Sequence, residues 1–133
     1  MGTPADSLAF LLSKTAKKAL VALETQLDAL DLTVRQYLLL SVAASGANLS
    51  QQELAKKLDL DPTILVKLID SLEARDLLER ARATDDRRRH QLTLTPAGKK
   101  LLHDARTREV QAERALSPHT DELRNLLREF LAP

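Results

Sequence analysis

The sequence predicts a mainly α-helical fold with one small β-hairpin. The chain of 133 residues is 44% hydrophobic but only 2% aromatic, and it has 3 glycines, so aliphatic side chains must fill its core. This composition favours helix over sheet. Apolar residues recur at helical spacing over most of the chain, whereas residues 77–94 show the two-residue alternation of strands.

The first helix is predicted over residues 6–30. Its apolar residues recur at steps of three and four, which places them on one stripe: Leu8, Leu12, Ala16, Leu20, Leu23, Leu27 and Leu30. This stripe is longer than one small lobe can cover, so a second copy of the chain is its expected partner.

Capping boxes begin the second and third helices. Thr33 is followed three residues later by Gln36, and the second helix is predicted to end near Gly46. Ser50 and Glu53 repeat the pattern at the start of a short third helix.

The fourth helix begins at a proline. Asp61 is a good N-cap, and Pro62 stands at the first helical position, where its missing N–H costs nothing. The helix is predicted to run to Arg75, with an inner face formed by Leu65, Leu68, Ile69 and Leu72.

A hairpin follows, with strands at residues 77–82 and 90–94 and a polar tip at residues 84–89. Thr95-Pro96 then begins a fifth helix, and Ser117-Pro118 begins the last one. The apolar side of the last helix contains Leu123, Leu126, Leu127, Phe130 and Leu131.

Three short helices followed by a charged hairpin form a winged helix-turn-helix, an arrangement that binds double-stranded DNA. The fourth helix is the predicted recognition helix, because the major groove admits one helix whose first residues meet base edges. Thr63, Val66, Lys67 and Asp70 face outward, and Ile64 lies at the edge of that face. The predicted DNA contacts at the two helix starts are Ser50, Gln51, Pro62, Thr63, Ile64, Val66 and Lys67.

The hairpin tip carries three consecutive arginines, Arg87–Arg89. Arginine suits a narrow minor groove, where negative potential is focused, and Asp86 can hold the guanidinium of Arg88 in an extended pose. Arg80 and Arg82 are predicted to contact the DNA backbone. The plain alternative for such a charge run is a solvated turn, but its position after a helix-turn-helix favours DNA contact.

Composition excludes several other functions. The net charge is only +1, so affinity for nucleic acid must come from local clusters of charge. Cysteine is absent, the histidines show no ligand spacing, and no nucleophile–base pair or phosphate loop is present, so no cofactor, metal site or enzymatic activity is expected. No segment has the pattern of a membrane span or signal peptide, and a cytoplasmic protein is therefore expected.

The stretch LSQQELAKKLDLDPTILVKLIDSLEARDLLERARATDDRRRHQLTLTPAGKKLL, residues 49–102, resembles the winged-helix core of the MarR family of bacterial regulators. The strongest part is Asp86-Arg87-Arg88 followed by Leu94-Thr95-Pro96-Ala97-Gly98. The resemblance implies a homodimer that binds a palindromic operator, with Arg88 in the minor groove and Asp86 bracing it. Two departures are Ile64 and Val66, which replace hydroxyl residues and favour a more apolar readout of bases.

The resemblance also implies how the single MarR-like domain, residues 1–133, is divided. The winged-helix lobe would span about residues 33–98, and dimerisation helices would span about 5–30 and 99–132. The predicted interface residues are Leu8, Leu12, Leu20, Leu116, Leu123, Leu127, Phe130 and Leu131.

Many members of this family bind small anions or phenolic compounds between the dimer helices and the DNA lobe, and this binding releases DNA. Phe10 and Tyr37 are candidate lining residues for such an effector, although simple packing is the alternative for both. The predicted function is a sequence-specific DNA-binding repressor, dimeric and controlled by a small molecule. The alternative is a winged-helix module that binds protein instead of DNA.

Overall fold

A computed structural model describes residues 4–82 and 90–133. Within these residues it contains six α-helices and one antiparallel hairpin, which confirms the mainly α fold, and a 3-10 turn at Pro4–Asp6 precedes the first helix. The elements in chain order are α1 (Leu8–Asp28), α2 (Val34–Ala44), α3 (Gln51–Lys57), α4 (Pro62–Ala74), β1 (Leu78–Arg82), β2 (His90–Leu94), α5 (Pro96–Leu116) and α6 (Thr120–Leu131).

The chain forms two compact units. The central unit is Leu32–Ala105 and contains α2, α3, α4, the hairpin and the first half of α5. The terminal unit combines Met1–Asp31 with Arg106–Pro133 and so contains α1, the second half of α5 and α6.

In the terminal unit, polar side chains connect the helices around a small core. Leu23 and Leu27 of α1 are buried, as is Ala112 of α5. Arg108 of α5 donates a hydrogen bond to Gln26 of α1 at 3.3 Å.

Arg124 connects α6 to α5. Its guanidinium pairs with Glu113 of α5 and, at 2.7 Å, with Asp121 one turn earlier on α6. The hydrogen bond with Glu113 raises the pKa of Arg124 above its ordinary value. The guanidinium therefore stays charged, and the pairing fixes α6 against α5.

The last helix begins later than the sequence predicted. Ser117-Pro118 does not open α6, because the Ser117 hydroxyl accepts a hydrogen bond from the His119 amide at 3.0 Å and closes a turn. The helix starts at Thr120, with His119 in the cap position and no side-chain cap. Serine competes for local backbone groups in this way wherever a turn is available.

Side-chain caps set the starts of the helices in the central unit. At α2 both halves of the capping box form, since the Thr33 hydroxyl accepts from the Gln36 amide and the Gln36 side chain accepts from the Thr33 amide. The Ser50 hydroxyl accepts from the Glu53 amide at 3.1 Å. At α4 a carboxylate oxygen of Asp61 accepts from the Thr63 amide at 2.8 Å.

Aspartates in the left-handed conformation end two of these helices. Asp59 follows α3 with φ of 53°, and Asp76 follows α4 with φ of 57°. After α4 the Asp76 amide donates to Glu73 and the Leu77 amide donates to Leu72, which satisfies the last carbonyls of the helix. Leu77 is buried, so this helix end is also anchored by an apolar contact.

The hairpin has one buried face and one exposed face. Leu78 pairs with Leu94, and Arg80 pairs with Leu92. The three leucines are buried, whereas the alternating residues Glu79, Ala81, Gln91 and Thr93 are exposed. The hairpin therefore packs on the helices through one face, as the alternation of its second strand predicted.

Candidate nucleic-acid interface

Helix α4 has a buried face and an exposed face. Leu65, Ile69 and Leu72 are buried in the central unit. On the other side Thr63 and Lys67 are exposed, and Ile64 exposes 40% of its surface although it is a large aliphatic residue. Val66 is half-buried between the two faces.

The first turn of α4 is open to solvent. Pro62 and Thr63 are both exposed, and the Asp61 carboxylate caps the Thr63 amide. The remaining amides of a helix start carry partial positive charge and favour an approaching anion. Thr63 adds a hydroxyl at the same turn, so this end of the helix can meet either a phosphate or a base edge.

At the start of α3, Ser50 and Gln51 are half-buried. The Ser50 hydroxyl oxygen already accepts a hydrogen bond from the Glu53 amide. The hydroxyl proton of Ser50 is therefore available for another acceptor. Ser50 therefore retains a donor that suits a backbone phosphate, and the side-chain amide of Gln51 is a donor group of the same kind.

Arg80 lies on the core-facing side of the hairpin. Its pairing partner Leu92 and its strand neighbour Leu78 are buried on that side, while Glu79 is exposed on the opposite side. The Arg80 side chain is only 24% exposed. The sequence prediction of a backbone contact treated this arginine as a surface residue and did not use the strand register.

The guanidinium of Arg80 binds two carboxylates of α4. Its Nε donates to Glu73 Oε1 at 3.0 Å, and its Nη2 lies 2.5 Å from the same oxygen and 2.6 Å from Asp70 Oδ1. The hydrogen bonds with Glu73 raise the pKa of the Arg80 guanidinium above its ordinary value. The side chain is therefore a fixed, charged connection between β1 and α4.

Several predicted DNA contacts lie outside the described residues. The segment 83–89 contains Asp86, Arg87, Arg88 and Arg89, and for Arg82 only the backbone, at the end of β1, is described. Their contact with DNA stays a prediction from the sequence.

The predicted dimer residues lie in the terminal unit. Leu8, Leu12 and Leu20 of α1 are exposed, and Leu123, Phe130 and Leu131 of α6 are exposed as well. Leu116 and Leu127 are half-buried. Large aliphatic and aromatic side chains are thus displayed on both helices in this single chain.

The two candidate effector residues differ in environment. Phe10 on α1 is exposed, with the Lys14 ammonium 5.7 Å from the centre of its ring. Tyr37 on α2 is buried in the central unit.

The sequence identified Thr95 as a helix start and Gly98 as part of a motif, and the structure gives both residues a further structural role. The Thr95 hydroxyl is buried and bridges the end of α4 to the start of α5, and Gly98 accompanies it in the first turn of α5. Both belong to the Leu94–Gly98 motif, whose fixed spacing was a usable signal.

The described residues 4–82 and 90–133 contain no cluster of three His, Asp or Glu side chains arranged to hold a metal ion. Within the same residues, every helix is too short or too polar to cross a membrane.

Comparison with known proteins identifies the family. The model of the MarR family matches residues 32–90. The HTH-type transcriptional regulator YhbI of Bacillus subtilis is 36% identical over 89 residues, which are 67% of this chain and 58% of that protein. The match thus covers less than two thirds of the length of this curated relative.

Solved structures match along nearly the whole chain. CouR from Rhodococcus jostii, bound to p-coumaroyl-CoA, aligns with a TM-score of 0.85 and 30% identity over 100% of this chain and 97% of CouR. CouR bound to a 23-mer DNA duplex aligns with a TM-score of 0.81 and 26% identity, over 99% of this chain and 94% of that one.

A MarR-family regulator from Rhodococcus sp. RHA1 aligns with a TM-score of 0.84 and 31% identity over 98% of this chain and 94% of that one. This coverage includes the helices and the hairpin. Together with the match of the family model, these relationships show that the chain belongs to the MarR family of winged helix-turn-helix transcriptional regulators.

Proposed function

We propose that this chain is a homodimeric repressor that binds a palindromic operator in double-stranded DNA and is released by a small-molecule effector. The observation that carries the proposal is the exposed first half of α4, where Thr63, Ile64 and Lys67 face solvent while the opposite side is buried in the lobe. A helix that packs on the rest of the lobe through one face and is polar at its start suits the major groove.

The likeness to CouR supports DNA as the partner. CouR is described as a transcriptional repressor and has been solved on a 23-mer duplex. In this chain the hairpin follows α4 directly, so the predicted arginine tip would reach an adjacent groove while α4 occupies the major groove.

Exposed apolar surface in the terminal unit supports a dimer. Phe130 and Leu131 of α6 are 71% and 84% exposed, and the described α6 contains no buried residue although one side of it is apolar. A groove of about 510 Å³ lies between α1, α5 and α6, with Leu116, Leu123 and Leu127 among its lining residues. Exposed leucines and a phenylalanine on this scale are unfavourable in a monomer, and we infer that a second copy covers them.

A palindromic operator follows from the symmetry of such a dimer. Two copies related by a two-fold axis present two recognition helices in opposite directions, which requires inverted half-sites about one helical turn apart.

Control by a small molecule is proposed from CouR, whose structure holds p-coumaroyl-CoA. Phe10 and Tyr37 remain the candidate aromatic contacts in this chain. A panel of aromatic acids and their thioesters, added to the protein–DNA complex, tests this part by release of DNA.

The main experiment selects bound DNA from a random pool and measures the mass of the protein–DNA complex. We expect a palindromic consensus, a complex containing two chains, and an affinity of about 10 nM or tighter at physiological salt. Lys67→Ala should weaken binding, while Lys99→Ala, which removes the same charge from an exposed position on α5, serves as the matched control.

A pool without enrichment, together with retention that does not respond to salt, would overturn the proposal. Such a result would favour the protein-binding alternative, because electrostatic binding to DNA always weakens as salt rises.

A further inference from the structure

We propose that Arg80 is a positioning residue for DNA binding and does not contact phosphate: its guanidinium fixes strand β1 to the recognition helix through Glu73 and Asp70. This inference rests on the proposed function and deepens it, because it explains how α4 and the hairpin, the two elements proposed to contact DNA, keep a fixed orientation relative to each other.

The direction of the side chain is the first argument. In the hairpin register Arg80 occupies the same face as Leu78 and Leu92, which are buried against the helices. A cation at such a position is aimed at the neighbouring element of its own lobe, and here that element is α4. Glu79, the next residue along the strand, takes the solvent-facing position.

The second argument is electrostatic. Nε and Nη2 of Arg80 contact Glu73, and Nη2 also contacts Asp70 at 2.6 Å. Asp70 lies three residues after Lys67 on the exposed face of α4, so it would meet the duplex if that face did. If Arg80 turned its Nε and Nη2 toward a phosphate, both carboxylates would be left uncompensated beside a polyanion, and this opposes the movement.

The third argument is mechanical. A hairpin of two five-residue strands is marginal on its own, so its angle depends on what binds it to the helices. A planar guanidinium that meets carboxylates through two nitrogens restricts orientation as well as distance. Loss of this connection should let the hairpin pivot on its leucines while the lobe stays folded.

The test compares the effects of Glu73→Gln, Arg80→Gln and the double variant on affinity for the selected operator. If Arg80 acts through Glu73, then Glu73→Gln weakens binding about tenfold, as Arg80→Gln does, and the double variant is no worse than either, which is the signature of a coupled pair. If Arg80 contacts phosphate, Glu73→Gln strengthens binding, because it removes a negative charge and frees the arginine. The sign of this one effect separates the two roles.

The conservative variant gives a second readout. Lysine supplies the same charge to a phosphate but lacks the planar fork, so Arg80→Lys should bind DNA nearly as weakly as Arg80→Gln. Preserved affinity in Arg80→Lys would overturn the proposal. Glu79→Gln is the matched control, with the same charge change one residue away on the exposed face, and it should not weaken binding.

A distance measurement shows whether the hairpin moves. The chain has no cysteine, so spin labels can be attached at Ala74→Cys on α4 and Gln91→Cys on β2, both exposed positions. The distribution of label distances should broaden in Arg80→Gln and in Glu73→Gln and stay narrow in Glu79→Gln, at a temperature where all variants are folded.

An unchanged distribution in the two variants would overturn the positioning role. If the wild-type chain enriches no DNA sequence, the proposed function fails. If the wild-type chain binds a selected operator but Glu73→Gln binds it more tightly, only the role of Arg80 is contradicted.

Discussion

Gly98, in the first turn of α5, lies directly against the backbone of Leu77. A Cβ atom built on Gly98 would overlap the Leu77 carbonyl oxygen and lie 3.0 Å from its carbonyl carbon. That carbonyl also accepts a hydrogen bond from the Thr95 amide at 3.2 Å, so neither side of the contact is free to shift. The end of α4 and the start of α5 therefore meet backbone to backbone, and the closeness of this contact requires glycine.

Gly98→Ala should lower the free energy of unfolding by about 3 kcal/mol, at the upper end of the cost of overpacking. Helix propensity alone would instead predict a higher free energy of unfolding for Gly98→Ala, because alanine is favoured over glycine within a helix by about 1 kcal/mol. Denaturant unfolding at fixed protein concentration measures the difference.

Gly46→Ala is the comparison. A Cβ there would meet nothing within 4 Å, but φ is +71°, so only conformational strain opposes it. A loss of about 1 kcal/mol is expected. If Gly98→Ala proved no more destabilising than Gly46→Ala, the steric argument would be refuted.

Thr95 completes the same junction through its hydroxyl. Oγ1 donates to the Asp76 carbonyl at 2.6 Å and accepts from the Gly98 amide at 3.0 Å, and the residue is buried. Thr95→Val keeps the shape but leaves both backbone groups unpaired, so stability should fall by about 2 kcal/mol. Thr95→Ser retains the hydroxyl and should recover most of the loss; equal stability of the Val and Ser variants would contradict the role.

The order of helices and strands was predictable because each helix carries its own start signal. Thr33, Ser50 and Asp61 all accept the amide hydrogen bonds that their positions predicted. The start of α6 was not predictable in the same way, because Ser117 can cap a helix or close a turn and the sequence does not decide between them.

The candidate site was predictable only where exposure follows from local periodicity. Thr63, Ile64 and Lys67 lie outward because Leu65, Ile69 and Leu72 lie inward. Arg80 was different, since its environment depends on the register between two strands and on carboxylates seven and ten residues earlier in the chain. Long-range pairing of this kind is set by tertiary packing and leaves no periodic signal.

Asp76 occupies a position where glycine has a conformational advantage. Its φ is 57°, and the hydrogen bonds that close the helix use only backbone atoms. Asp76→Gly should therefore raise the free energy of unfolding by about 0.5 kcal/mol. The same change at Asp28, the last residue of α1 and in helical conformation, should lower stability instead. A loss of stability in Asp76→Gly would show that the left-handed aspartate is not strained.

Substitutions on the apolar side of α6 are the most direct test of the proposed dimer. Leu126 and Phe130 are largely exposed in the single chain, so a charge at either position should not disturb the fold. In a dimer that buries this side, Leu126→Glu or Phe130→Glu would leave an unpaired carboxylate in the interface. We expect the dimer dissociation constant to rise by about 100-fold or more, measured by sedimentation equilibrium.

Asn125→Glu is the control for charge, because Asn125 is exposed and lies off the apolar side of α6. It should leave the dissociation constant nearly unchanged. Circular dichroism spectra identical to wild type would confirm that the variants remain helical. If Leu126→Glu and Phe130→Glu both had the dissociation constant of the wild-type dimer, the interface would have to lie elsewhere.

The exposed side chain of Ile64 leads to a prediction of how the protein recognises one base pair of the operator. It is an exposed aliphatic side chain in the first turn of α4, the proposed recognition helix, beside Thr63 and one turn before Lys67. In the major groove the apolar group that such a side chain can contact is the thymine methyl. Replacing that thymine by deoxyuridine removes the methyl and keeps every hydrogen-bonding group, so affinity should fall about fourfold, the value of one buried methyl group.

The variant Ile64→Ala should bind the thymine operator about as weakly as the wild type binds the deoxyuridine operator, and it should no longer distinguish the two. Lys67→Ala, by contrast, should weaken binding to both operators by the same factor, because an ammonium group senses phosphate or a base edge and not the methyl. If Ile64→Ala kept the full preference for thymine, the methyl would have to be read by another side chain, and Val66, half-buried two residues later on the same helix, would be the next to test.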